Sequence, residues 1–147
     1  MRLAPLIAVP VFVALTMAGG MGWADAGEGA APVAALIVPA EITVDGARTS
    51  LTVKARLSNP GTTPIQLHMS TPCDVHDWQL DTIAGERVWE RGPMICVQMI
   101  TEQTLAPGKT LEETRMLRIP APLRPGETYT IAYKFWGFAA NATFTAR

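Results

Sequence analysis

The stretch "SLTVKARLSN", residues 50–59, alternates apolar and polar side chains with a period of two. Leu51, Val53, Ala55 and Leu57 fall on one side, and Thr52, Lys54, Arg56 and Ser58 on the other. Such alternation predicts a strand with one face on a core and the other in water. "NPGTTP" ends it with turn residues. "IQLHM", residues 65–69, then resumes the pattern, with Ile65, Leu67 and Met69 inward and Gln66 and His68 outward.

The same signal recurs downstream. In "VHDWQLD", His76, Trp78 and Leu80 share one side. "AGE", residues 84–86, is a tight turn from which "RVW" returns as the second strand of a hairpin. "MICVQMI", residues 94–100, is apolar on both sides and is expected to be a strand inside a two-layer core, with Met99 on a core face. "APGK" turns the chain into "TLEETRMLRI", where apolar residues reach both faces and leave the orientation open. "PAPLRPGE" holds three prolines and excludes a central strand or helix. "TYTIAYKFW" places Tyr129, Ile131, Tyr133 and Phe135 on one face, and "FAANATFTA" does the same for Phe138, Ala140, Ala142 and Phe144. Between them, "KFWGF" is an aromatic turn, expected to cap one end of the molecule, with a partner-binding tip as the alternative. No long stretch has a helical period. The expected fold is all-β, an immunoglobulin-like antiparallel β-sandwich of about seven to nine strands. An eight-stranded barrel has much the same strand spacing.

Upstream, the pattern is of another kind. Residues 1–26 carry Arg2, an apolar run interrupted by Pro5 and Pro10, and "ADA" at residues 24–26, which together read as a signal peptide. The run is shorter than the roughly 20 residues a spanning helix needs, and an uncleaved anchor is the alternative. Residues 27–33 read as a flexible linker and residues 34–147 as the single domain. The expected destination is periplasmic or extracellular, with no membrane attachment after cleavage. A formal net charge of −1, without basic stripe or acidic tail, argues against a nucleic-acid partner.

"TPCDVHDW", residues 71–78, concentrates the chemistry-bearing side chains. In an exported chain the pair Cys73 and Cys96, with no other cysteine present, reads as a disulfide. Closing that loop is worth roughly 3 kcal/mol in the chain-entropy model. A cysteine nucleophile is disfavoured, because Cys73 and His76 point to opposite faces of an extended chain. Asp74, Asp77 and Asp81 lack the ligand loop that calcium needs, so they read as a solvated face. His68, Met69, His76 and Met99, with Met94 and the two cysteines, are donors of the kind Cu(I) favours. A copper carrier is therefore an alternative, set against core packing for the methionines. Trp78 and Trp89 are expected to pack in the core on facing hairpin strands. No cofactor and no enzymatic activity are expected.

Four segments in order resemble a known family: "LTVKARLSNPGTTPIQLHMST", "DVHDWQLDTIAGERVWE", "LAPGKTLEETRML" and "LRPGETYTIAYKF". They are similar to the intracellular proteinase inhibitor (BsuPI) family in a strand turn at residues 59–65, a hairpin at 81–89 and two Pro-Gly turns flanking a strand. The resemblance implies an immunoglobulin-like sandwich and inhibition of a subtilisin-type serine protease. The export signal and the cysteine pair depart from a cytoplasmic inhibitor. The expected function is an exported, non-catalytic binding domain with a protein partner, a serine protease being the one the resemblance implies. An envelope accessory or structural module is the alternative. The loops "STPCD" and "ERGPM" are the expected contact surface, through Ser70, Thr71, Pro72 and Asp74 and through Arg91, Gly92, Pro93 and Met94. A disulfide at their base would lower the entropy cost of binding.

Overall fold

A computed structural model describes residues 30–46 and 48–147. The expected signal peptide and the start of the linker lie outside them. The strands are β1 (Val33–Ile37), β2 (Glu41–Ile42), β3 (Thr49–Ser58), β4 (Ile65–Met69), β5 (His76–Thr82), β6 (Arg87–Glu90), β7 (Thr101–Leu105), β8 (Thr110–Ile119), β9 (Thr128–Phe135) and β10 (Phe138–Ala146). The only other element among the described residues is a short 3-10 helix, Pro72–Val75. The fold is the expected all-β sandwich, with ten strands where seven to nine were expected. One layer has the order β1-β3-β8, the other β2-β10-β9-β5-β6, and β4 pairs with β7 in a small third sheet. Open sheet edges, at β8 and β6 among others, exclude a closed barrel. All pairings are antiparallel except β2 with β10.

The alternation of β3 sets the first layer. Leu51, Val53, Ala55 and Leu57 are almost completely buried, while their neighbours Thr52 and Arg56 face water. From the opposite layer Tyr129, Ile131, Tyr133 and Phe135 of β9 and Phe144 of β10 complete the core. On the water side of β3, Lys54 and Arg56 both reach Glu112 of β8 across the ladder.

Turn chemistry fixes the register. Pro107-Gly108 and Pro125-Gly126 occupy the centres of two turns closed by Lys109 N to Ala106 O and Glu127 N to Arg124 O. Gly108 and Gly126 have φ of 67° and 84°, the type II geometry that glycine adopts without strain. Asn59 ties the first of these turns to the rest. Its buried amide donates to Thr63 O and Leu105 O, and its Oδ1 accepts from Gly61 N. Phe135 pairs directly with Phe138, so Trp136-Gly137 is a two-residue hairpin with both φ values positive. Trp136 is buried and donates its N–H to Val75 O, so "KFWGF" caps the sandwich as expected.

One expected strand is absent. Residues 91–100 have no ladder partner, and β7 begins only at Thr101. Met94, Ile95, Val97, Met99 and Ile100 are exposed instead of packing between layers. Apolar character on both sides of this segment therefore does not mark a core strand, and Met99 is not a core side chain.

Candidate functional site

The loops at residues 70–74 and 91–94 meet at the end of β5 and β6. Thr71 caps the 3-10 helix, its Oγ1 accepting from Cys73 N at 3.3 Å. This leaves Thr71 buried and turns Cys73 toward the returning chain. Cys73 and Cys96 form a disulfide across a Cα–Cα distance of 6.2 Å. Thiol readings of either cysteine, catalytic or metal-binding, lose their nucleophile and ligand to this bond.

A second attachment was not foreseen from sequence. Arg91 donates from Nη1 to Cys73 O at 2.5 Å and to His76 O at 2.9 Å. Its Nη2 and Nε lie 3.3 Å and 3.4 Å from the carboxylates of Asp74 and Asp77. The guanidinium fork is suited to this task, because its five donors can serve two carbonyls and two acids at once. The open segment is thus fixed at its start by Arg91 and in its middle by Cys96.

Thr71 and Asp74 from the first loop, with Arg91, Gly92, Pro93 and Met94 from the second, line one cleft of about 490 Å³. Ser70 and Pro72 stand outside it. The chain continues through Ile95, which is fully exposed, and Val97, at 68 % exposure, while Cys96 and Gln98 between and after them line the same cleft. Ile95 and Val97 present their apolar side chains to solvent on either side of the anchored Cys96.

Behind the loops, β8 carries charge on its inner face. Glu113 lies opposite Ala55 and Arg115 opposite Val53, both inward-facing residues of β3. Glu113 Oε2 sits 3.0 Å from His76 Nε2, and Tyr133 Oη 2.8 Å from His76 Nδ1. A carboxylate only accepts, so Nε2 carries the imidazole proton and Nδ1 accepts from the tyrosine hydroxyl. Burial of the ring, and then the nearby Arg115 charge, lower the His76 pKa against the opposing pull of Glu113. Burial pushes the Tyr133 phenol up to about 12. His76, with its ring stacked on Phe135 at 5.0 Å, is a satisfied residue joining the two layers. The signal for this cluster was present in the sequence as two charges sharing a parity with Leu111 and Leu117.

The soft donors of the copper alternative are spread over different elements. His68 is on the outer face of β4 with Glu102, 3.1 Å away. Met69 packs against the core beside Gly137, and Met99 is exposed. Both nitrogens of His76 are engaged. Among the described residues, no three His, Cys, Asp or Glu side chains converge on a point suited to a metal ion.

A scan against models of known protein families matches none of them, and a search of curated proteins finds none similar to this chain.

Proposed function

We propose that the protein is an exported, non-catalytic binding domain that presents residues 92–100 to a protein partner, and that the partner is a subtilisin-type serine protease. The observation that carries this reading is a ladder-free segment with exposed apolar side chains, pinned in its middle by the Cys73–Cys96 disulfide. A segment without ladder partners, whose one internal backbone hydrogen bond is Met99 N–H to Val97 O, can open and add to a partner as a strand, while alternate side chains enter its pockets. Serine protease clefts take their substrates in that form. The disulfide and Arg91 reduce the ordering cost that a flexible peptide would meet on binding. The protease as partner rests on the family resemblance. Export is supported by the N-terminal pattern and by a disulfide, which persists in oxidising compartments.

Incubation with subtilisin-type and trypsin-type proteases tests the reading. Slowed substrate hydrolysis by the former at near-stoichiometric protein supports it, and unchanged hydrolysis throughout at stoichiometric excess counts against it.

A further inference from the structure

We infer that the mouth between the two layers, which borders the loop proposed to meet a protein partner and shares Arg91 and Met94 with its cleft, is a binding site for a small amphipathic carboxylate with an aromatic body. Between β6 and β8, each at the edge of its sheet, lies a cavity of about 440 Å³. That volume lies within the range of small-molecule sites, roughly 300–1,000 Å³. One wall is Trp78 and Trp89, stacked with centroids 3.8 Å apart and planes at 28°. Met94 and Leu117 add apolar surface.

From β8, Arg115 borders the cavity on the inner-face parity, and Arg118, on the outer parity, borders it at the open edge of the strand. Among the described residues Arg118 has no carboxylate within 4.0 Å, and Arg115 has only Glu113, at 3.8 Å. Glu113 is turned to His76, and no acid lines the cavity. A chain with a formal net charge of −1 thus sets two poorly neutralised arginines at the mouth of a cavity with an aromatic wall, Arg115 from the inner parity and Arg118 from the edge. Guanidinium pairs preferentially with carboxylate and also stacks on flat aromatic faces. An aromatic carboxylate satisfies both, its ring against Trp78 and Trp89 and its anion on β8. A neutral aromatic leaves the arginines unserved, and an aromatic cation is repelled.

The test is calorimetric titration of the oxidised protein at low salt with 2-naphthoate and with the neutral 2-naphthalenemethanol. Naphthoate is expected to bind at least about tenfold more tightly than the alcohol, and to weaken as salt rises. Arg115→Gln and Arg118→Gln are each expected to cost about tenfold or more in naphthoate affinity, as the loss of a hydrogen bond to a charged group implies. Arg118 is exposed, so its variant retains the fold. In the bound state the indole N–H resonances of Trp78 and Trp89 shift while that of the buried Trp136 stays. Equal affinity for acid and alcohol, unchanged binding in both arginine variants, or no binding of naphthoate at millimolar concentration overturns the assignment.

Discussion

Arg91 Nη1 donates to the carbonyl oxygen of Cys73 at 2.5 Å, so the residue that begins the open segment is bound to the cysteine that holds its middle. The covalent link and the guanidinium link span the same gap between the end of β6 and the 3-10 helix. Either alone would leave residues 92–95 able to swing. Together they hold this part of the segment between two fixed points.

Arg91→Ala is expected to lower stability by about 2 kcal/mol, because two backbone carbonyls and two carboxylates lose a shared donor. Arg91→Lys should restore less than half of that, since an ammonium lacks the planar fork. Urea unfolding midpoints of the three proteins decide the order.

Substitution of Ile95 or Val97 by Ser is expected to change stability by no more than about 0.5 kcal/mol, the usual range for exposed positions without structural partners. Leu57→Ala, in the core of β3, should cost about 2–5 kcal/mol. Thermal unfolding separates the two classes. A large loss at Ile95 would mean that the segment is packed in solution.

Asn59→Ala is expected to cost about 2–3 kcal/mol, because it leaves the carbonyls of Thr63 and Leu105 and the N–H of Gly61 without the side chain that joins them. Chemical denaturation gives the value directly. The first Pro-Gly turn should also exchange its amides faster, since Asn59 O accepts from Gly108 N.

His76 makes stability depend on pH. Its folded pKa lies below the ordinary value of 6.5, so between the two values the unfolded chain binds the extra proton. Stability is therefore full above about pH 6.5 and is lost as pH falls through the lower folded value. The groups facing the ring are Glu113 and Arg115 of β8 and Tyr133 of β9. The difference in thermal midpoint between pH 7.5 and pH 5 should be smaller in His76→Gln than in the parent. An identical difference would assign the dependence to other groups.

Period-two alternation made most of the fold legible. The strands at residues 49–58, 128–135 and 138–146 follow it almost position by position, and the Pro-Gly turns lie where their dipeptides stand. The cysteine pair was legible too, because only two cysteines are present. Residues 94–100 misled because apolarity on both sides reports hydrophobic content and not the presence of a ladder partner. Whether a partner exists depends on contacts far apart in the chain. The anchoring role of Arg91, read from sequence only as a contact residue, was not legible for a related reason: two of its four acceptors are backbone carbonyls, which carry no mark in sequence. Glu113 and Arg115 did leave a mark, as charges on the apolar parity of β8, but their meaning needed His76 and Tyr133 from the other layer.

The most direct test of residues 92–100 as the binding element is a titration of a subtilisin-type protease with the oxidised protein and with Ile95→Asp. Residual activity should fall with the parent protein toward a stoichiometric end point, and the variant, at an unchanged thermal midpoint, should require far more protein for the same effect. No fall with the parent, or equal inhibition by both, would contradict the assignment of this segment as the surface that meets the protease.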